Sequence, residues 1–336
     1  MNKTIDRRLK PEEYIVTGQE PTDEEAYAKF LHDLTDVPES QPLNAIPIDR
    51  AGIANQSSII QIRDFFGNTF SHVPVTMKLG ASLEDHRGVH MSRFEEALFA
   101  ASRKKYDSID EFTQAMAEEI RSRQNSDTAY VNAQGEYLHP RKTRKSEKFS
   151  HDKVHLSSTT ESIGDELHQI TGVRAYNMTA CPCTKTHTKY VTVPALREMG
   201  LSVEQINKVL NVALTGTHTQ RGEISLVLDK TSDAITQEDI YGILDDKAHL
   251  VYELLKRPDE HDLVIRALQK PQFTEDVARD VALGAFEFFD KKAPDNTRVW
   301  VESTLNDSIH IHDVQTAINS SLGQIRKALA NSQQSL

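Results

Sequence analysis

The chain has few cysteines and no long apolar run. Its 336 residues include two cysteines, Cys181 and Cys183, which are separated by one proline. Thiols two positions apart are poorly placed to join each other, so a disulfide framework within one chain is excluded. The first residues contain no apolar core of the kind that a signal peptide requires, and no run approaches the length of a membrane span. The sequence therefore predicts a cytoplasmic protein that has no membrane partner.

A surplus of positive charge is also missing. The chain carries 39 Lys and Arg against 50 Asp and Glu, a formal net charge of −11. This balance excludes a general nucleic-acid binder, because no domain-wide basic surface can form. A nucleotide is still an allowed ligand, since it needs only a few local Arg and Lys residues. Hydrophobic residues make up 38% of the chain, which is the composition of a globular protein with a core.

Hydrophobic periodicity predicts strands and helices in a repeating order. Apolar residues alternate with polar ones at 72–83, which predicts a half-buried strand, and further strands are predicted at 57–63, 153–158, 173–180, 223–228 and 298–303. Helices are predicted after residue 90 and at 109–120, 202–214, 240–255 and 314–329, with one more beginning at Thr274. Ser202 and Gln205 have capping-box spacing, and Pro258 is expected to end the helix before it. Strand pairs followed by helix pairs, seen twice, indicate an α+β fold with an internal duplication. The basic run at 141–148 predicts a solvated loop.

Several side chains that can bind a metal lie at the ends of these elements. They are Cys181, Cys183, His218, Glu260, His310 and His312. A thiolate, an imidazole and a carboxylate together suit Fe(II), Zn(II) or Mn(II) better than Mg(II) or Ca(II). Such an ion lowers the pKa of a water ligand to about 7. The spacing matches no compact zinc-finger or His-Glu-x-x-His pattern, so by itself it is a weak signal.

Each candidate also has an ordinary structural interpretation. Cys181 could be a small core residue at a strand end, and His218 could be hydrogen-bonded in a turn. Glu260 could belong to a charged surface loop. Glu275 lies in a first helical turn, where the helix dipole favours an acid without any function. Arg93 could pair with a nearby acidic side chain.

Six short motifs together resemble the type IB GTP cyclohydrolases. They are Gly-Val-His-Met-Ser-Arg-Phe at 88–94, Thr-Ala-Cys-Pro-Cys at 179–183, Thr-His-Thr-Gln-Arg-Gly at 217–222, Lys-Arg-Pro-Asp-Glu at 256–260, Phe-Thr-Glu-Asp at 273–276 and Ser-Ile-His-Ile-His-Asp at 308–313. The resemblance covers roughly residues 45–330, with the motifs in the family's order. Residues 184–217 separate the second motif from the third, a longer insertion that is similar to the archaeal-type, methanopterin-branch enzymes. The third motif reads His-Thr-Gln-Arg where the family usually has His-Asn-Gln-Arg, which keeps the candidate ligand.

The resemblance implies a tunnelling fold, an α+β architecture with two tandem units per chain. Each unit would contain antiparallel sheets with paired helices, and the protein would form a homotetramer with active sites at subunit interfaces. The predicted division is a polar lead-in at 1–45, a first unit at 46–180 and a second unit at 181–333. A helical insertion is expected at about 194–214.

The resemblance also implies roles for individual residues. Cys181, His218, Glu260 and His310 correspond to a site for one divalent transition metal, with Fe(II) favoured and Mn(II) or Zn(II) possible. Glu275 corresponds to the guanine anchor, because a carboxylate can accept hydrogen bonds from both N1–H and the exocyclic amine. The candidates for binding the triphosphate are His90, Ser92, Arg93, Arg221, Lys256 and Arg257. Cys183 and His312, with His310, are the candidates for proton transfer.

The implied activity is that of a GTP cyclohydrolase. GTP would be opened hydrolytically at C8 of guanine with loss of formate, giving 7,8-dihydroneopterin 2′,3′-cyclic phosphate at the start of pterin biosynthesis. One alternative is the folate-branch reaction, which gives 7,8-dihydroneopterin triphosphate. A second is a non-catalytic protein that binds purines or pterins. A purely structural metal site is a third, which the presence of a carboxylate ligand disfavours.

Overall fold

The computed structural model describes residues 37–65, 67, 69–253 and 256–334. Within them the chain forms nine strands, eight α-helices and a 3₁₀ turn at Val37–Glu39. The strands are β1 (Ile48–Arg63), β2 (Phe70–Leu83), β3 (Lys105–Tyr106), β4 (Thr128–Lys142), β5 (Phe149–Ile163), β6 (Glu166–Ala180), β7 (Thr219–Asp229), β8 (Arg298–Leu305) and β9 (Val314–Ser321). The helices are α1 (Met91–Ser102), α2 (Ile109–Gln124), α3 (Pro182–Glu198), α4 (Val203–Val212), α5 (Gln237–Lys247), α6 (Arg257–Gln269), α7 (Thr274–Phe289) and α8 (Leu322–Gln334).

All nine strands belong to one mixed sheet, in the order β3-β1-β2-β4-β5-β6-β7-β8-β9. Only the β1–β3 pair is parallel among these strands. The prediction of two tandem tunnelling-fold units, each with its own sheets, is therefore wrong. β6 and β7, which flank the predicted boundary, pair continuously from Ile170↔Asp229 to Ala180↔Thr219. Backbone hydrogen bonds at this position join the two halves into one sheet.

The helices α1, α2, α5 and α7 pack on one face of the sheet. The predicted alternation in β2 explains this sidedness, because Val73, Val75 and Met77 are buried while the residues between them are exposed. Phe112 of α2 and Phe289 of α7 are fully buried in the same core. One core therefore extends under both halves of the sheet. Truncating either ring to alanine typically costs about 3–5 kcal/mol of stability.

The helix predicted at 202–214 is confirmed, and two other predicted helices need correction. In α4 the Ser202 side chain accepts a hydrogen bond from the Gln205 N–H at 3.3 Å, which completes the predicted capping box. The helix predicted to reach Pro258 ends at Lys247, and Pro258 lies in the first turn of α6. A proline is favourable there because its missing N–H has no helical partner in any case. Leu255, which was assigned to the same helix, lies outside the described residues.

The last predicted helix at 314–329 divides into a strand and a helix. Val314–Ser321 forms β9, which pairs with β8 along its whole length, and α8 begins only at Leu322. Pairing with an available sheet edge outweighs the helical spacing of these apolar residues. Strands β3 and β4 were not predicted, and helix α3 begins twelve residues before the helical insertion predicted at about 194–214. None of the side chains of α3 is buried, so it has no apolar stripe by which it could be detected.

The prediction of a solvated loop at 141–148 is wrong for Arg141, which lies at the end of β4 with its side chain largely buried. The Arg141 side chain is 11% exposed and donates to Asp152 Oδ2 at 2.8 Å and to Tyr241 Oη at 3.1 Å. Its guanidinium also lies 4.2 Å from the ring centroid of Tyr252. Burial opposes the charge of Arg141, but the neighbouring Asp152 raises its pKa above the ordinary value. Removing one partner of such a buried pair is strongly destabilising, because an unpaired charge is left behind.

Next to this pair, His139 makes stability depend on pH. His139 is 4% exposed, and burial together with the charge of Arg141 lowers its pKa to about 4. In the unfolded chain an imidazole titrates near 6.5, so between these values the unfolded state binds more protons. This contribution to stability is complete above about pH 6.5 and is lost as the pH falls towards 4. The difference amounts to about 3 kcal/mol.

We expect His139→Phe to flatten the fall in the free energy of unfolding between pH 6.5 and 4. The measurement is chemical denaturation at several pH values, compared with His86→Phe as the control, because His86 is exposed. A slope in His139→Phe equal to that of the unmodified protein would show that His139 does not titrate in this range.

Candidate active site

Cys181 and His218, which are far apart in the sequence, are neighbours at one end of the sheet. Cys181 follows β6 and His218 precedes β7, and the Cys181 N–H donates to the His218 carbonyl oxygen at 3.0 Å. The Thr217 hydroxyl donates to the Cys181 carbonyl oxygen at 2.8 Å. Pro182 ends the strand and opens α3, because proline suits a first helical turn and has no N–H for a sheet. The thiol and the imidazole are each half-buried.

The loop at 306–313, between β8 and β9, brings two more candidates to the same end of the sheet. Ser308 Oγ lies 3.2 Å from His218 Nδ1, and the Asn306 N–H donates to the Arg221 carbonyl oxygen at 3.0 Å. His310 and His312 are exposed on this loop, and their rings stack with centroids 5.1 Å apart. The contact of Ser308 with His218 therefore places the loop that carries His310 and His312 next to His218.

Glu275, the candidate guanine anchor, also lies near this end. The Gln272 N–H donates to the carbonyl oxygen of Ala180, the residue before Cys181, at 3.1 Å. Two residues later, Thr274 fixes the start of α7 by donating to Ser303 Oγ at 2.9 Å. Glu275 itself is exposed and forms no hydrogen bond or ion pair within the described ranges. The capping function belongs to Asp276, whose Oδ2 accepts from the Phe273 N–H at 3.1 Å.

Glu260 is not brought to Cys181 within one chain. It is exposed in the first turn of α6, where the neighbouring Asp259 is buried and accepts from the N–H groups of Lys145 and Ser146 at 3.0 Å. Burial alone would raise the pKa of Asp259, but hydrogen bonds from Ser146 and Lys145 hold it below the ordinary value. The other end of α6 contacts α3 through a hydrogen bond from Lys185 to the Leu268 carbonyl. Eight residues of helix, or roughly 12 Å, separate Glu260 from that contact.

No group of three or more His, Cys, Asp or Glu side chains is arranged to hold a metal ion within the part of the chain that the structure describes. Lys256 and Arg257 are exposed beside Glu260, at the start of α6. Arg221 is exposed on β7, with its guanidinium 5.8 Å from the Tyr176 ring centroid. Within a single chain, these predicted site residues are therefore divided between the Cys181–His218 end of the sheet and the start of α6.

His90, Ser92 and Arg93 lie at the opposite end of the sheet. They open α1, and His90 exchanges two hydrogen bonds with Gln124, at the end of α2 and close to where β4 begins. Both His90 and Arg93 contact Glu39, at 3.4 and 3.2 Å. The intervening strand β6 has 15 residues, so it spans roughly 50 Å. These three candidates cannot reach Cys181 of their own chain.

The sequence profile of the type I GTP cyclohydrolase folE2 family matches residues 34–316. That range includes all six motifs. The chain belongs to this family. It is accordingly a GTP cyclohydrolase, an enzyme whose substrate is GTP.

Individual relatives of this cyclohydrolase are similar over most of its length. It is 27% identical over 309 residues to the GTP cyclohydrolase MptA of Methanococcus maripaludis strain C6, which covers 88% of this chain and 97% of the relative. It is 28% identical over 308 residues to the MptA of Methanocaldococcus jannaschii, with the same coverage. Among solved structures, the uricase from Arthrobacter globiformis overlaps 81% of this chain and 93% of its own, with 10% identity and a TM-score of 0.44. No helix within the described ranges is long and apolar enough to cross a membrane.

The glycine that ends the third motif has a structural role in the cyclohydrolase. A Cβ at Gly222 would lie 2.2 Å from the Thr304 carbonyl oxygen of β8, which is closer than atoms can approach. Gly222 thus lets β7 and β8 pair tightly immediately below His218 and the 306–313 loop.

A separate cavity of the cyclohydrolase lies away from this site. It has a volume of about 900 Å³, and its lining contains none of the predicted site residues. Two residues beside the candidate site had not been singled out, Ser308 and Asp276. Both lie within the quoted motifs, close to His310 and Glu275 in the sequence. That proximity is the feature from which they could have been predicted.

Proposed function

We propose that this chain opens the imidazole ring of GTP at C8, releases formate and forms 7,8-dihydroneopterin 2′,3′-cyclic phosphate. It would thereby start pterin biosynthesis in the cytoplasm as an archaeal-type, methanopterin-branch member of its family. The observation that carries the proposal is the junction of Cys181 and His218, beside the loop that holds His310 and His312. The similarity to enzymes named GTP cyclohydrolase MptA supports the choice of branch.

The donor types at this junction fit a divalent transition metal. Cys181, His218, His310 and Glu260 would hold it, and a thiolate with imidazoles and a carboxylate favours Fe(II), with Mn(II) or Zn(II) as alternatives. When bound, the metal would supply Lewis-acid activation of water. The fit rests on the adjacency of Cys181 and His218 and on the hydrogen bond that holds the 306–313 loop to His218. Glu260 does not meet Cys181 within one chain, so it would complete the set from α6 of a second subunit.

The protein's own groups would bind GTP and move protons. The free carboxylate of Glu275 would accept hydrogen bonds from guanine N1–H and the 2-amino group, while Asp276 holds the helix start. Cys183 and His312, both exposed next to the junction, would exchange protons with the ring nitrogens as the C8–N bonds break. Two water molecules are consumed as C8 leaves as formate. Rearrangement of the ribose carbons then closes the pterin ring by condensation, which releases one water. Attack of the neighbouring side-chain hydroxyl on the α-phosphorus would form the cyclic phosphate and release diphosphate.

The triphosphate would contact residues of two chains. Arg221 is exposed on β7, and Lys256 and Arg257 are exposed at the start of α6. The other three candidates, His90, Ser92 and Arg93, lie beyond the far end of β6. A second copy of the chain would bring its own far end to the junction, in keeping with a homotetramer that has interfacial sites. Helix α3, which begins at the junction, leaves Tyr190 and Val191 70% and 78% exposed, as expected for a surface that another subunit covers.

Subunit mixing tests this arrangement. Cys181→Ala and Arg93→Ala should each be inactive alone, because each damages a different half of every site. After dissociation and reassembly together, some interfaces contain two undamaged halves, so part of the activity should return. Mixtures that reassemble to the tetramer mass, by light scattering, without regaining activity would rule out sites shared in this way.

The reaction itself is tested by incubating GTP with protein that has been reconstituted anaerobically with Fe(II), Mn(II) or Zn(II). Formate and the pterin product are identified by mass spectrometry. The cyclic phosphate keeps one of the three phosphorus atoms of GTP, so equimolar diphosphate should appear with it. A product that retains all three would assign the folate-branch reaction, and binding of GTP without formate release would indicate a non-catalytic protein.

A further inference from the structure

Ser308 makes a side-chain contact with His218 from the neighbouring loop. Its hydroxyl oxygen lies 3.2 Å from Nδ1 of His218. An imidazole has two nitrogens, and the group that engages one of them decides which nitrogen carries the proton. If Nδ1–H donates to Ser308 Oγ, the lone pair is placed on Nε2. In that arrangement Nε2 is the nitrogen that can bind a ligand.

The loop that carries Ser308 is held in place by hydrogen bonds around it. Asn306 Nδ2 donates to Asp313 Oδ1 at 3.1 Å, which joins the two ends of the loop. The Asp307 side chain accepts from the Ile309 N–H at 2.9 Å, forming a local turn around Ser308. On the other side, the backbone of His218 is fixed by Cys181. Both partners of the contact are therefore fixed independently of it.

We propose that Ser308 is a positioning residue for the metal site. Its oxygen accepts a hydrogen bond from His218 Nδ1–H, which holds the ring in the tautomer that presents Nε2 and fixes the ring's orientation. Metal-binding histidines commonly donate their second N–H to such a partner, and loss of the partner lowers metal affinity about 10- to 100-fold. The inference rests on the proposed role of His218 as a ligand and extends it to a residue that itself binds neither metal nor GTP.

A hydroxyl that only tied down the loop would give a different result. It would affect the melting temperature, whereas a positioning residue affects metal affinity at unchanged melting temperature. Threonine keeps the hydroxyl and should restore the contact. Ser320 provides a matched control, because it lies at the end of β9 away from the loop and its hydroxyl is 3.3 Å from Gln324 Oε1, far from His218.

The experiment titrates full-length metal-free protein with Co(II) alone under anaerobic conditions. The dissociation constant is read from the visible absorption of the thiolate-bound ion. Ser308→Ala should raise the constant about 10- to 100-fold, while Ser308→Thr and Ser320→Ala should stay close to the unmodified protein. Melting temperatures of all variants are measured in parallel.

Two results would overturn the inference, and they are distinguishable. If Cys181→Ala and His218→Ala lose Co(II) while Ser308→Ala binds it as Ser320→Ala does, the metal site stands and the role of Ser308 is wrong. If Cys181→Ala and His218→Ala keep their Co(II) affinity, the proposed metal site itself is wrong, and the inference falls with it.

Discussion

Replacing Cys181 by alanine is expected to strip the divalent metal and to abolish formate release from GTP. The loss should exceed the 10- to 100-fold effect typical of residues that only orient a ligand, because a ligand itself is removed. His218→Ala should behave in the same way, since both residues lie at the one junction. Metal content by mass spectrometry and formate release are the measurements.

The fold should survive the Cys181 substitution. Cys181 is half-buried, and its side chain makes no capping hydrogen bond at the start of α3. Its removal should therefore cost at most about 0.5–1 kcal/mol. Cys183→Ala is the matched control, being the same substitution two residues away, and should keep the metal even if proton transfer is impaired. Full metal occupancy and normal turnover in Cys181→Ala would contradict the assignment.

Glu275→Gln is expected to lower kcat/KM for GTP by about 10-fold to more than 100-fold. An amide cannot accept both guanine donors, and a buried donor without a partner costs about 1–3 kcal/mol, with more when the lost partner is charged. The melting temperature should change little, because Glu275 is exposed and Asp276 accepts the hydrogen bond at the helix start. Steady-state kinetics and thermal melting are measured side by side.

Asp276→Asn is the matched control for Glu275→Gln. It should lose about 0.3–1 kcal/mol of stability, because it removes a negative charge from the first turn of α7, and it should keep its use of GTP. Inosine triphosphate sharpens the comparison, because it lacks the 2-amino group and so has one donor fewer for Glu275. The penalty of Glu275→Gln should be smaller with inosine triphosphate than with GTP. Equal penalties for the two nucleotides, or a lower melting temperature with unchanged kinetics, would remove Glu275 from base recognition.

Local patterns in the sequence were sufficient for elements whose signal lies within a few residues. The alternation in β2 predicted which side chains are buried, and Ser202 with Gln205 predicted the start of α4. The motifs identified the family through residue order, which requires no knowledge of contacts. Most of helix α3 could not be found in this way, because none of its side chains is buried against the rest of the single chain.

Other features depend on partners that are distant in the sequence. Val314–Ser321 has helical spacing but becomes β9 because the edge of β8 is available for pairing. The sequence predicts that Arg141 is solvated, but in the fold its side chain is largely buried and donates to Asp152 and Tyr241. Pro258 can end or begin a helix, and the choice followed from Asp259 anchoring the first turn of α6 to the 143–148 loop.

The sequence by itself determined the family, the substrate and the identity of the candidate ligands, because these depend on residue type and order. The tertiary structure decided that the strands form one sheet and that Cys181 meets His218 while His90 and Arg93 lie at the far end of β6. Strand pairing is a long-range interaction whose register no local pattern specifies. The distance between the two parts of the site likewise follows from strand length and sheet order, which exist only after the chain has folded.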